Sequence, residues 1–287
     1  MSRFIRSSTA IALAGVLAAA VVSVDAKDRR ECDRDYKPQV GQAGKDVVWV
    51  PTPDEIVQRM LRMAKVTPQD TVYDLGAGDG KIAIAAGKMG ATAVGIEYNP
   101  DMAKLAQCYV QAENLAGKTR IIQGDVFKED FSKATVLTMY LLPELNLKLR
   151  PTILDMKPGT RVTSHQFTMG DWEADETAEV DYRTAYLWIV PAKVQGTWTL
   201  REQGPGNAQY TVNLTQKYQK ISGDVSAGTV KQQPLVGATV RGEEIRFAFN
   251  DDKGVTRTLT GTVRGNELAG TLKGAGGAET KVTGIRK

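Results

Sequence analysis

The residues best placed to do chemistry form the run Val72-Tyr73-Asp74-Leu75-Gly76-Ala77-Gly78-Asp79-Gly80-Lys81. An apolar strand ends at an acidic residue, glycines recur at every second position, and a helical pattern follows. Glycine permits positive φ and lets the backbone approach a ligand closely. The start of a helix adds free N–H groups and a positive dipole end. Two further acids fall at corresponding places. Glu97 ends the next strand 17 residues after Gly80, and Asp125 ends the third in Gln123-Gly124-Asp125-Val126. In open α/β sheets, ligands sit outside the carboxyl ends of the strands. The turn is not the dinucleotide fingerprint Gly-x-Gly-x-x-Gly, because its third glycine comes one residue early and the strand ends in Asp-x-Gly. Acids at three successive strand ends suit a ligand with an ammonium, ribose hydroxyls and a base amino group. S-adenosylmethionine (SAM) has all three and no phosphate.

The surrounding pattern supplies the elements that must hold these acids. Pro53–Lys65 reads as a helix with Asp54-Glu55 in its first turn and an apolar face of Ile56, Met60, Leu61 and Met63-Ala64. Strands at Thr71–Leu75, Ala93–Glu97, Arg120–Gln123, Ala134–Tyr140 and Thr160–Gln166 then alternate with helices at Lys81–Met89, Pro100–Asn114 and Leu145–Asp155. Such alternation predicts βαβ units and a parallel sheet. Thr177–Asp181 and Thr184–Val190 read as an antiparallel pair at its edge. From Pro191 the texture changes to short alternating runs: Thr197–Glu202, Tyr210–Thr215, Gln219–Val225, Leu235–Val240, Glu244–Asn250, Thr256–Val263, Glu267–Lys273 and Thr280–Ile285. Turn signals such as Asn250-Asp251-Asp252-Lys253-Gly254 separate them, predicting a small antiparallel all-β barrel or sandwich over residues 192–287. Gly196-Thr197-Trp198 at its start resembles a lipocalin-like opening strand.

Residues 47–191 resemble a class I SAM-dependent methyltransferase with a Rossmann-like sheet. Asp74-Leu75-Gly76-Ala77-Gly78-Asp79-Gly80 matches that superfamily's first motif, and Glu97 and Asp125 match its second- and third-strand acids. A narrower resemblance is to the protein-lysine methyltransferases of the ATP-synthase c-subunit type and their bacterial relatives. It rests on Val50-Pro51-Thr52-Pro53, Gly95-Ile96-Glu97-Tyr98-Asn99-Pro100 and Tyr140-Leu141-Leu142-Pro143-Glu144. The resemblance implies a cofactor set of Asp74, Gly76, Ala77, Gly78, Gly80, Glu97, Tyr98, Asp125, Val126 and Tyr140. It also implies methyl transfer by in-line displacement, in which positioning does most of the work. Tyr140 and Glu144, at the end of the fourth strand, are the catalytic candidates, since a lysine acceptor must first lose a proton. Where many amine and amide methylators carry Asn/Asp-Pro-Pro-Tyr, this chain has Tyr-Leu-Leu-Pro, so that substrate assignment does not carry over. The acceptor is unidentified, with protein lysine one option. Trp49 and Thr52 are placed to close over the cofactor. His165, the chain's one histidine, suits a satisfied structural role or a substrate contact. Asp171-Trp172 suits either a substrate rim or an aromatic anchor.

Arg3 and Arg6, the apolar run Thr9–Val22 and Val24-Asp25-Ala26 compose a secretory signal peptide over residues 1–26. That run is shorter than the ~20 residues needed to span a bilayer. The expectation is export, most simply to a bacterial periplasm, with no integral membrane segment after cleavage. Residues 27–46 are polar and are expected to form a flexible lead-in. Cys32 and Cys108 would find an oxidising compartment there, but sequence separation leaves open whether they pair. With two cysteines and one histidine not closely spaced, no metal site is expected. The net charge of +4 is mild, and nothing calls for nucleic acid as partner. An enzyme outside the cytosol needs a source of SAM there. The competing interpretation is therefore an exported SAM- or nucleoside-binding protein without turnover, with the β domain as its recognition module. A nucleotide-dependent oxidoreductase is disfavoured by the glycine spacing.

Overall fold

The computed structural model describes residues 28–204, 207–274 and 277–287. The signal-peptide segment lies outside them. Strands β1 (Thr71–Leu75), β2 (Thr92–Glu97), β3 (Thr119–Gln123), β4 (Val136–Met139), β5 (Arg161–His165), β6 (Glu176–Val180) and β7 (Arg183–Ile189) form one sheet in the order β3-β2-β1-β4-β5-β7-β6. β1 to β5 run parallel, and β7 pairs antiparallel with β5 and β6. The central strands are buried on both faces and read as apolar runs, as parallel sheets require. The strand order reverses between β1 and β4, so the crevice above their carboxyl ends is the switch point where ligands bind.

Helices follow from local signals. α2 (Asp54–Met63) buries Ile56, Val57, Met60 and Leu61. α3 (Lys81–Lys88) starts at Gly80, whose φ of 78° only glycine takes easily. α4 (Pro100–Ala112) is capped by the Asn99 side chain, which accepts from the Asp101 and Met102 amides, and has proline at its first position. α5 (Pro143–Leu154) begins at another proline, just past β4.

The lead-in is a correction to the sequence expectation, for it carries a helix and a covalent tether. α1 (Arg29–Asp35) starts with a capping box from Asp28 and Glu31. Cys32 is buried on α4 and bonded to Cys108, with the Cα atoms 5.8 Å apart. Tyr36 and Trp49 pack on the same cluster as Met102 and Leu105.

The second sheet contains β8 (Gly196–Gln203), β9 (Gln209–Lys217), β10 (Lys220–Ala227), β11 (Val230–Pro234), β12 (Val236–Arg241), β13 (Glu244–Asn250), β14 (Thr256–Arg264), β15 (Glu267–Lys273) and β16 (Glu279–Arg286). All neighbours are antiparallel, and the last strand pairs with the first from Lys281↔Gln203 to Arg286↔Trp198. With β9 on β10 the sheet closes, which makes it a barrel and not a sandwich. The polar run Val230–Pro234 lacks the alternation of a strand, yet it is one. It pairs with the far end of β10 while β12 takes the near end at Lys220, so β11 and β12 act as one bent strand. Trp198, Leu200, Val212, Phe247, Phe249, Leu259 and Val282 alternate inward and form one buried cluster.

The barrel leans on the first sheet through the β9–β10 hairpin. Tyr218 donates to Asp171 at 2.9 Å and stacks on Trp172 with ring centroids 5.9 Å apart. Lys217 pairs with Asp171 and Lys220 with Glu173, at 3.0 and 2.6 Å. Of the two roles open to Asp171-Trp172, the structure gives Trp172 that of the anchor: it is fully buried, and its carbonyl accepts from Trp188 Nε1 at 2.8 Å.

The Cys32–Cys108 bond closes a loop with a sequence separation of 76. Bonds closing loops of this size typically contribute about 2–5 kcal/mol. The Cys32→Ser, Cys108→Ser variant is expected to lose about that much in urea unfolding, seen as a lower midpoint with a somewhat steeper slope, because the unfolded chain without the crosslink exposes more surface.

Candidate functional site

The site grows from the β1 turn. Gly76, Gly78 and Gly80 have φ of 77°, 55° and 78°, and the amides of Gly76 and Ala77 donate to the Ile96 carbonyl at 3.0 and 2.9 Å. The turn thereby folds over the end of β2. A Cβ on Gly78 would lie 2.6 Å from Trp49 Nε1, so a side chain there would fill the space between turn and indole. Glu97, at the end of β2, accepts from the Gly78 amide through Oε2 and the Asn99 amide through Oε1, both at 2.8 Å. Both oxygens are oriented, and each keeps a lone pair for a ligand hydroxyl.

Asp74 is 2 % exposed. Its Oδ1 accepts from Thr138 at 2.7 Å, while Oδ2 has no hydrogen-bond partner of normal geometry among the described residues. Burial pushes its carboxyl up to about 7. The Thr138 hydroxyl and the nearby Ala83 amide oppose that shift, and the charges of Asp79 and Glu97 add to it. Burial raises the Asp79 carboxyl as well.

Asp125, past the end of β3, accepts from the Phe127 amide at 3.0 Å and from Lys45 Nζ at 3.0 Å. These bonds hold its carboxyl below the usual range. Tyr140 follows β4, with its ring 4.0 Å from that of His165 and 5.9 Å from that of Phe167, centroid to centroid. His165 lies behind Tyr140, where Thr52 Oγ1 is 3.3 Å from its Nδ1. Burial, with the charge of Arg183, pulls its pKa down to about 4, so the ring is neutral at pH 7.

Asp74, Gly76, Ala77, Gly78, Glu97, Tyr98, Asp125, Val126 and Tyr140 all line one cavity of about 300 Å³, a size suited to a small ligand. Two candidates lie elsewhere. Gly80 caps α3, and its missing Cβ would sit 3.1 Å from that of Ala106, so its role is helix packing. Glu144 is exposed on the first turn of α5 and is not among the lining residues, because the turn after Tyr140 carries it outward. Trp49 and Thr52 do line the cavity. So do Lys45, Asp46, Asp79, Met102 and Phe167, which sequence reasoning does not single out. Asp79 stands inside the glycine motif and is legible there. Lys45 and Asp46 reach the cavity only because the disulfide and Trp49 lay the lead-in across it.

The donor set fits the ligand inferred above. A buried carboxylate oxygen without a partner is costly, and an ammonium would relieve it. Fold and site together define a class I SAM-dependent methyltransferase. Comparison with known proteins gives the family. Residues 74–176 match the model of the ANTKMT methyltransferase domain. The chain is 41% identical over 151 residues to a protein-lysine N-methyltransferase of Saccharolobus islandicus, covering 50% of this chain and 94% of that one. It is 27% identical over 158 residues to the human lysine N-methyltransferase of the ATP synthase c-subunit, covering 55% of this chain and 65% of the human one. A crystal structure of an RNA methyltransferase from Salinibacter ruber in complex with S-adenosyl-L-homocysteine matches at 46% identity and a TM-score of 0.50, covering 50% of this chain and 96% of that one. The chain belongs to the ANTKMT methyltransferase family, and it is an enzyme that transfers methyl groups from SAM.

Asp74 supplies a direct test. A carboxyl raised in the folded state contributes stability that is full below about pH 4 and is lost as pH rises through about 7. Unfolding free energy without ligand is expected to fall across that window. Asp74→Asn should flatten the slope, as read by urea titrations at half-unit pH steps. An unchanged slope would assign it to other groups.

Proposed function

We propose that the enzyme methylates lysine side chains of an exported or envelope protein. The observation that carries this is the lysine acceptor named for both the 41% and the 27% identical relatives. The chemistry of the cavity supports it. SAM, when bound, supplies a methyl group on a positively charged sulfur. Asp74 would take its ammonium, Glu97 the ribose hydroxyls and Asp125 the base amino group. Tyr140, Leu141, Leu142, Leu145 and Phe167 line the fourth-strand end, where the acceptor would enter. Apolar and aromatic walls disfavour a charged ammonium and lower its pKa, so they favour the free amine that can attack. The neutral imidazole of His165 behind Tyr140 adds no charge to that end. With Glu144 exposed, the Tyr140 hydroxyl is the candidate for orienting the free amine by a hydrogen bond.

We also propose export to a periplasm. The N-terminal segment 1–26 supports it, and so does the Cys32–Cys108 bond, which is typical of oxidising compartments. The likeness to the Salinibacter ruber RNA methyltransferase favours a second acceptor, RNA.

Radiolabelled methyl transfer into fractionated envelope material separates the acceptors. Label recovered as methyl-lysine after protein hydrolysis is expected, whereas label confined to the RNA fraction would overturn the lysine proposal. Tyr140→Phe is expected to lower the turnover rate about 100-fold while leaving the dissociation constant for S-adenosylhomocysteine within about twofold, by calorimetry. A reporter fused after Ala26 should be active only when exported, and activity confined to the cytosol would remove the periplasmic assignment.

A further inference from the structure

Residues 41–49 form an arm across the nucleoside end of the cavity. It is bonded mainly to itself: the Gly41 amide donates to the Trp49 carbonyl at 2.8 Å, the Trp49 amide to Gln42 at 2.9 Å and the Gly44 amide to Val47 at 2.9 Å. Ala43 and Val48 add an antiparallel bridge. The arm is fixed at both roots. Before it, Cys32 is bonded to Cys108 on α4. After it, Thr52 meets His165. Between the roots, side chains hold it down, with Trp49 against the glycine turn and Lys45 on Asp125.

Lys45 occupies a particular place. Its ammonium is 3.0 Å from Asp125 Oδ2, 4.8 Å from the centroid of the Tyr98 ring and 5.9 Å from that of Phe127. The other oxygen of Asp125 accepts from the Phe127 amide. A base amino group that approaches Asp125 Oδ2 therefore meets the Lys45 ammonium, and so does a base that stacks on the face of Tyr98 that Lys45 covers. An ammonium and a purine cannot fill one space.

We infer that the arm 41–49 is a gate and that Lys45 is its latch, competing with the base of the nucleoside ligand for Asp125 and Tyr98. The inference rests on the proposal that Asp125 takes that base. A partly exposed ion pair of this kind changes an equilibrium by only a few-fold. The latch is therefore weak enough for a ligand to break, and strong enough to lower the apparent affinity by the fraction of time that it is closed. The arm's self-bonded hairpin suits it to move as a unit, because opening breaks the Lys45 and Trp49 contacts and leaves its internal bonds intact.

Calorimetric titration of the disulfide-bonded protein with S-adenosylhomocysteine tests the latch without any need for the acceptor. Lys45→Met, which keeps the stem and removes the charge, is expected to tighten binding about threefold and to raise the association rate. Binding that is unchanged or weaker in Lys45→Met would overturn the latch. Asp125→Ala in the Lys45→Met background, where nothing competes and no acceptor remains, reports the base contact alone and is expected to weaken binding about tenfold. No weakening there would show that Asp125 does not take the base, a failure distinct from that of the latch. Adding Lys45→Met to Asp125→Ala, where Lys45 has lost its anchor, should bring no further gain, and a threefold gain in that background would also overturn the latch.

Discussion

Asp74 places a carboxylate at the end of the central strand with almost no water around it, one oxygen satisfied by Thr138 and the other without a normal donor among the described residues. Leaving such an oxygen unpaired costs free energy, and removing a carboxylate from water raises its pKa. Much of the first sheet's carboxyl edge is arranged around that group. The glycine turn after it keeps the backbone low and bonds back to Ile96. Glu97 ties the turn to β2 through the Gly78 amide. Trp49 covers the turn where any side chain on Gly78 would collide with it. A cationic ligand would offset the local cost, so the feature that weakens the site in isolation suits it to an ammonium.

The two ends of the cavity differ in chemistry. The end proposed for the nucleoside is polar and charged, with Asp125, Lys45 and Glu97 at least partly exposed. The end proposed for the acceptor is aromatic, with the Tyr140 ring against those of His165 and Phe167. This division suits methyl transfer, which needs a firmly oriented donor and an acceptor amine kept free of charge.

The barrel contributes to that arrangement from outside the cavity. Its β9–β10 hairpin meets the loop after β5 through Tyr218 and Lys217 on Asp171, and Arg150 on α5 donates to Asp171 and to the Met169 carbonyl, both at 2.7 Å. Asn146, also on α5, donates to the Thr168 carbonyl at 3.2 Å. Phe167 heads this braced loop and lines the cavity. The barrel thus bears on the Phe167 end of the cavity through a chain of contacts, although none of its described residues stands in the cavity wall.

Local features of the sequence determined a good part of this. The strand-then-glycine run announced the turn, because only glycine accepts those backbone angles cheaply. Glu97 and Asp125 were legible because strand ends recur at fixed places in βαβ units, and eight of the nine barrel strands showed the alternation of a half-buried sheet. Tertiary structure decided what depends on contacts distant in sequence. Closure of the barrel rests on β16 meeting β8, some 80 residues earlier. β11 exists because β10 offers it an edge, not because Lys231-Gln232-Gln233 favours a strand. Glu144 faces solvent because the turn after Tyr140 carries it away from the cavity. The polar lead-in became the cavity's lid because a disulfide and an indole, separated from their partners by 76 and 29 residues, hold it there. Spacing along a chain reports which residues share an element; it cannot report which distant side chains will meet.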